Sequence, residues 1–320
     1  MKAAVYDQGG PPSVFRYTEV PDPTPKPGEI LIRNEAISIE GGDVTNRAFR
    51  PANGRDHIVG YQSAGEVLWV GPEAGDFAVG DKVAVTGTHG SHAELRAVSG
   101  RTAWKVPEGL DMAVASTIPI PFGTADNCLL HYGGLEAGNT AFIQSGAGGV
   151  GMAAIQIAKR TGARVIATAS SDERLEALRP LGLDFGINSQ ASDVVAEVMR
   201  ITDGKGCDVT LDGNGGRSLQ QCVAVLAWKG RATFIGVTAR EDMKIDVRSL
   251  MAGNRALIGL GLGLEMGTSR VRQMVGRYMT AVAEGEYEVR IDRTFPLAQA
   301  AEAHAFIESR QAIGRVLLVP

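Results

Sequence analysis

The 320 residues include 41 glycines, with 44% apolar and 21% charged side chains, a balance that excludes disordered and collagen-like chains and points to more than one hydrophobic core. The net charge is −4 and the pI near 5.8, with lysine and arginine scattered, so there is no electrostatic footprint for nucleic acid or an anionic membrane. Small molecules and other protein chains are the expected partners.

Acid and glycine follow too soon after Met1-Lys2-Ala3 for a signal peptide, and no run of about 18 apolar residues occurs. A cytoplasmic location is the default expectation. Cys128, Cys207 and Cys222 are too few for a disulfide framework and lack the short spacing of a zinc site. They read as small buried hydrophobes.

In chain order, the first hundred residues are short strand-like runs at 30–36, 65–70, 82–86 and 93–98, broken by turn residues. That spacing predicts a compact, mostly β domain. The stretch Pro21-Asp22-Pro23-Thr24-Pro25-Lys26-Pro27-Gly28 cannot be helix or central strand, because proline lacks the amide donor and restricts its predecessor.

From about Thr140 the pattern alternates. Strands are expected at 141–144, 164–168, 185–187, 208–211, 232–236 and 256–260, with helices at 150–160, 172–181, 192–201 and 218–226. Regular alternation predicts an α/β fold with a doubly wound parallel sheet of Rossmann type. Helices at 269–284 and 297–309 and a strand at 315–319 then need a packing partner, and the β domain is the available one. The expected division is therefore 1–120 and 265–320 in a mostly β catalytic domain, with 121–264 inserted as a nucleotide domain.

The inserted part opens on Ser145-Gly146-Ala147-Gly148-Gly149-Val150-Gly151, a G-x-G-x-x-G directly after a strand and at the start of a helix. Glycines there allow a tight turn, close approach of the backbone to a pyrophosphate, and packing of helix on sheet; amides and the helix dipole hold the anion. A purely structural glycine turn is the alternative. No Gly-Lys-Ser/Thr follows, so P-loop chemistry is excluded.

An NAD site places an acid at the end of the second strand. Here that stretch is Ala167-Thr168-Ala169-Ser170-Ser171-Asp172-Glu173-Arg174. Hydroxyls of Ser170 and Ser171 and the guanidinium of Arg174 suit a 2′-phosphate, which favours NADPH over NADH. The alternative is a solvated helix start with Ser171 or Asp172 as N-cap.

With these residues in view, the chain resembles the medium-chain dehydrogenase/reductase superfamily, in its zinc-free quinone oxidoreductase and enone reductase branch. The resemblance rests on Met1-Lys2-Ala3, Gly28-Glu29-Ile30-Leu31-Ile32, Val79-Gly80-Asp81-Lys82-Val83, Val106-Pro107-Glu108-Gly109-Leu110, the glycine turn, Ala301-Glu302-Ala303-His304 and Ile313-Gly314-Arg315-Val316. It implies a GroES-like catalytic domain around the Rossmann insert. Zinc members carry Gly-His-Glu and an upstream cysteine; this chain has Gly60-Tyr61-Gln62 and Ile39-Glu40 there, which implies no catalytic zinc. Structural zinc is not expected either, since no cysteine precedes Cys128.

By the same resemblance, Ser145, Gly146, Gly148, Gly149, Val150 and Gly151 would contact the pyrophosphate, while Ser170, Ser171 and Arg174 would contact the 2′-phosphate. Asn214 would lie near the adenosine side, and Gly236-Val237-Thr238 and Gly259-Leu260-Gly261-Leu262 near the nicotinamide. The branch often has Asn-Tyr where this chain has Asn188-Ser189, and Asn-x-x-Asp where it has Glu40-Gly41-Gly42-Asp43. Glu40 could orient a water, position Arg47 or move a proton; equally, it could be a structural carboxylate capping a turn amide.

Without zinc, charge developing on a substrate oxygen must be met by fixed donors, which restricts acceptors to quinones and α,β-unsaturated carbonyls. Tyr61 is the expected protein donor, packing at a domain seam being its alternative. His57, His89, His92, His131 and His304 show no metal spacing.

The expected function is an NADPH-dependent quinone or enone reductase. A non-catalytic or regulatory NADPH-binding protein is an alternative from another class, and a zinc-free alcohol dehydrogenase a third. The apolar strand at 256–260 would be an exposed sheet edge, which suggests a homodimer.

Overall fold

The computed structural model describes residues 1–49, 54–239 and 241–320. They form two compact units, one from 1–120 and 263–320, the other from 121–262.

In the first unit, Lys2–Tyr6 pairs with Arg16–Glu19 and His57–Ile58 in a three-stranded sheet. A seven-stranded sheet runs Ile291–Pro296, Arg315–Val319, Glu29–Ser38, Gln62–Val70, Lys82–Thr86 and Ala103–Lys105, with Leu95–Ser99 also on Glu29–Ser38. Its core is built from alternating apolar residues such as Ile30, Ile32, Val67, Val83 and Val85, all fully buried. The C-terminal segment belongs to this unit through backbone pairing, Leu317 opposite Ser38 and Leu318 opposite Ile37. Trp104 Nε1 also donates to Arg272 O (2.9 Å), on helix Ser269–Ala283.

The second unit is a six-stranded sheet with every pair parallel, in the order Phe185–Asn188, Arg164–Ala169, Thr140–Ile143, Cys207–Asp212, Leu226–Phe234 and Ala256–Gly259. The chain runs outward in both directions from Thr140–Ile143 and Cys207–Asp212, so the order reverses between them. In such sheets ligands sit beyond the carboxyl ends of the strands at that reversal. Phe142, Ile166, Val198, Cys207 and Cys222 share one fully buried core. Cys128 is buried as well.

Several elements differ from the sequence expectation. The helix expected at 172–181 is Asp172–Glu176 followed by a separate 3₁₀ turn, Arg179–Leu181; Pro180 has no amide to continue the α-helical ladder. The strand expected at 232–236 begins six residues earlier, at Leu226. Helix Gly41–Phe49 and strand Ile291–Pro296 were not expected, the helix because it opens on two glycines, the poorest helix formers after proline.

Candidate functional site

The glycine turn follows strand Thr140–Ile143 and leads into helix Gly149–Arg160. The three glycines of the motif differ in what surrounds them. A Cβ on Gly146 would lie 2.9 Å from Leu178 Cδ1 and 3.0 Å from Ala167 Cβ, inside the helix–sheet packing. A Cβ on Gly151 would lie 2.5 Å from Ser145 O and 2.7 Å from Gly146 Cα, where helix and turn cross. At Gly148 the nearest atom is Ser145 O at 3.5 Å, an ordinary contact, so its bare face is not needed for packing. Gly148 is also the N-cap, and no side chain caps the helix. The first amides of a helix have no intrahelical partner. A bare backbone and uncapped amides fit a pyrophosphate.

Thr168, at the end of the second strand, shapes the turn. Ser145 N donates to its Oγ1 (3.0 Å), Gly146 N donates to its carbonyl (2.8 Å), and its hydroxyl donates to Gln144 Oε1 (2.6 Å). Beyond it Ser170 is exposed, and Ser171 Oγ accepts from Arg174 N (3.4 Å) as the N-cap of Asp172–Glu176. Asp172 is held by Asn188 Nδ2 (3.0 Å). Ser170, Ser171 and Arg174 therefore fall within the five residues after the strand end.

The remaining residues expected near a cofactor also sit at strand ends of this sheet. Asn214 follows Cys207–Asp212, Gly236 and Val237 follow Leu226–Phe234, and Leu260 and Gly261 follow Ala256–Gly259, which Gly259 closes. Val237 is 54% exposed. Gly236 packs where a Cβ would strike Gly213 O. Asp212, fully buried, organises the 213–218 turn by accepting from Gly215 N (2.6 Å) and Ser218 Oγ. Burial pushes its carboxyl up, against these bonds.

The first unit holds a different kind of cluster. Glu40 is buried and accepts from Arg315 Nη2 and Gln62 Nε2. Arg315 also donates to Ser38 Oγ (2.6 Å) and Ile39 O (2.8 Å), and Gln62 Oε1 accepts from Ile120 N (3.0 Å). Burial pushes the Glu40 carboxyl up, opposed by the Arg315 charge. Glu40 is thus placed against Arg315 and not against Arg47, whose guanidinium donates to Gly10 O (2.5 Å) and Glu308 (2.6 Å).

Asp43, also fully buried, accepts from Glu40 N (2.8 Å). That is the reach-back half of a capping box, with Asp43 in the third position of helix Gly41–Phe49. The turn amide is capped by Asp43, then, and not by Glu40. Burial, with the Glu40 charge adding to it and the amide bond opposing it, pushes the Asp43 carboxyl up to about 8.

Tyr61 is half-buried, and its hydroxyl accepts from Asn46 Nδ2 (2.8 Å) on the same helix. Gly42 provides the space for its ring, which a Cβ there would strike. Gly60 has φ +116°, and a side chain there would collide with Ser91 and His92. The glycine of the Gly-x-x motif is thus required by packing without reference to a metal. Arg96, fully buried, fixes this stretch by donating to Tyr61 O (3.0 Å) and His89 O (2.8 Å).

His92 and His304 are buried with their Nε2 atoms 3.0 Å apart. One ring must donate and the other accept, and burial holds both neutral, pushing His92 down to about 3. Among the described residues, no group of three or more His, Cys, Asp or Glu side chains is placed to hold a metal ion.

The structural roles of Arg315, Gln62, Arg96 and Thr168 are not visible in the sequence. Arg315 and Gln62 lie within recognisable motifs, but no spacing rule pairs Arg315 with a carboxylate 275 positions away.

Two family matches cover these units. Residues 26–108 match the alcohol dehydrogenase GroES-like domain, and residues 149–279 match the zinc-binding dehydrogenase family. The chain is 30% identical to a quinone oxidoreductase of Pseudomonas aeruginosa, over 97% of each chain. It is also 30% identical to a 2-haloacrylate reductase of a Burkholderia species, over 100% of this chain and 99% of that one. The structure of a mycobacterial protein complexed with NADPH superposes with a TM-score of 0.94 at 28% identity, over 100% of each chain. The chain further matches a Mycobacterium tuberculosis phenolphthiocerol/phthiocerol polyketide synthase subunit at 30% identity, spanning 14% of its length. The chain belongs to the medium-chain dehydrogenase/reductase superfamily, in the quinone oxidoreductase and enone reductase branch.

Proposed function

We propose that the chain is an NADPH-dependent, zinc-independent oxidoreductase that transfers hydride to a quinone or an α,β-unsaturated carbonyl. The observation that carries this reading is the turn 145–151, where Gly146 and Gly151 are required by packing and Gly148 is not, beside uncapped helix amides. A mycobacterial relative of the same fold, solved with NADPH, and relatives named quinone oxidoreductase and 2-haloacrylate reductase support the cofactor and the acceptor class.

In this reading the pyrophosphate lies on Ser145, Gly146 and Gly148 to Gly151. Ser170, Ser171 and Arg174 take the 2′-phosphate through hydroxyl and guanidinium donors. Gly236, Val237, Gly259, Leu260 and Gly261 line the nicotinamide end. The bound nicotinamide supplies the hydride.

Tyr61 is the proposed donor to the substrate oxygen, with its hydroxyl positioned by Asn46 Nδ2. Tyr61 stands where zinc members carry a ligand and Glu40 in the region of their upstream cysteine; Gln62 and Glu40 are engaged with Ile120 and Arg315. Glu40 and Asp43 act as positioning groups at the start of helix Gly41–Phe49. A homodimer through the edge strand Ala256–Gly259 belongs to the same reading, because that strand is paired on one side only.

The test is to mix purified protein with NADPH or NADH and follow loss of nicotinamide absorbance with a simple quinone, an enone and 2-chloroacrylate. NADPH oxidation by a quinone or an activated alkene is expected. Saturable NADPH binding without oxidation by any acceptor would favour a non-catalytic NADPH-binding protein.

A further inference from the structure

We propose that Asn214 is a positioning residue that ties the phosphate turn to the loop after the fifth strand of the nucleotide sheet, so that the two ends of the dinucleotide site are set as one unit. This rests on the cofactor reading above. The residue stands just beyond the strand reversal, where Thr140–Ile143 and Cys207–Asp212 send their loops apart. Loops diverging there have no backbone ladder between them, so the phosphate turn is tied to the 213–220 segment through side chains.

Asn214 provides that link with both ends of its amide. Its Nδ2 donates to Ser145 Oγ (2.7 Å), 69 residues away, and its Oδ1 accepts from Thr238 Oγ1 (3.2 Å). Its backbone carbonyl accepts from Ala239 N (2.9 Å). One residue therefore touches the loops that follow two other strands.

The Ser145 end has a conformational reason to need the link. Ser145 sits at φ +56°, a left-handed conformation disfavoured for a residue that carries a side chain. Such conformations persist where surrounding bonds over-determine them. Ser145 is bonded from both flanks, at its amide by Thr168 Oγ1 and at its hydroxyl by Asn214.

The Thr238 end is fastened further along. Arg217 N donates to Glu241 Oε2 (2.7 Å), Gly216 N donates to Met243 Sδ (3.0 Å), and Gln220 Nε2 donates to Lys244 O (3.0 Å). The loop carrying Val237 and Thr238 is thus anchored on the 213–220 segment, and Asn214 joins that segment to the phosphate turn. Both polar ends of the amide face protein partners, so its effect on a cofactor passes through Ser145 and Thr238.

The experiment begins with ligand-free protein. Hydrogen exchange at Gly148 and Ala239 should quicken about three- to tenfold in Asn214→Ala, the value of one net hydrogen bond. Asn214→Asp, which can accept from both hydroxyls, should restore protection, and Ser145→Ala should loosen only the turn. Exchange in Asn214→Ala that changes at 212–216 alone would overturn the proposal.

In the second arm, NADPH dissociation constants are measured for Asn214→Ala, Ser145→Ala and the double variant. Residues acting through one bond are not additive, so the double variant should bind no more weakly than Asn214→Ala. Fully additive losses would mean separate contacts and would also overturn it. If wild-type protein takes up no NADPH, the cofactor reading fails, while exchange alone still decides whether Asn214 braces the loops.

Discussion

The turn 145–151 and the cluster around Glu40 both use polar groups near strand ends, but in opposite ways. At the turn, backbone amides are left without a side-chain cap, and Gly148, which packing does not require, sits at the helix N-cap. Around Glu40, carboxylates, amide and guanidinium are bonded to one another and buried. The first arrangement fits an incoming anion; the second holds the fold. Similarity of sequence motif does not separate the two cases; what does is that the Glu40 carboxylate is bonded to Arg315 and Gln62, whereas the first amides of the turn's helix have no side-chain cap.

The largest effect expected from breaking this contrast is in the closed cluster. Arg315→Ala leaves Glu40 as an uncompensated buried charge, which costs about 3–5 kcal/mol. Denaturant unfolding should report that loss, whereas an effect under about 1 kcal/mol would show the pair to be no more than a surface-type contact. At the turn, Arg174→Ala should leave stability nearly unchanged. It should weaken NADPH by about tenfold or more, the value of a charge-assisted bond, with NADH little affected. Equal weakening of both cofactors would remove Arg174 from the 2′-phosphate position.

The Asp43 carboxyl is raised from 3.8 to about 8 in the folded protein, so the folded state binds the proton more tightly than the unfolded chain. Its contribution is therefore full below pH 4 and is lost as pH rises toward 8. Asn at this position keeps the acceptor for Glu40 N without the proton. Asp43→Asn should gain on wild type between pH 5 and pH 8 by more than about 1 kcal/mol, because each tenfold difference in proton affinity between folded and unfolded chain is worth about 1.4 kcal/mol. A pH-independent difference would contradict the assignment.

His92 has the opposite sign. Its folded value near 3 lies below the ordinary 6.5, so its contribution is present above pH 6.5 and is lost as pH falls toward 3. His92→Asn should flatten the acid limb of the stability curve, measured by denaturant midpoints from pH 7 to pH 4; an unchanged limb would place the acid sensitivity elsewhere.

Much of the nucleotide unit was legible in the sequence because its signals are local. Strand, glycine turn and helix follow one another within about 20 residues, the scale of a βα unit, and βα alternation fixes the parallel sheet. The Glu40 cluster was not legible, because its partners come from four separate stretches: Ser38 to Asp43, Gln62, Ile120 and Arg315. Glu40 read as a possible proton-transfer group for lack of a visible partner. Helix Gly41–Phe49 was hidden by its glycine pair, of which Gly42 makes room for the Tyr61 ring. The break after Asp172–Glu176 was written in Pro180, but the apolar periodicity around Leu175, Leu178 and Leu181 masked it.

The proposed role of Gly148 is to leave the backbone bare for a ligand. Titrating NADPH into wild type and Gly148→Ala, with unfolding followed in parallel, tests it most directly. Alanine fits the space at this N-cap and should cost no more than about 1 kcal/mol of stability. NADPH binding should nevertheless weaken by at least about tenfold, because the added methyl keeps the pyrophosphate off the backbone. Unchanged NADPH affinity in a folded Gly148→Ala protein would contradict the account.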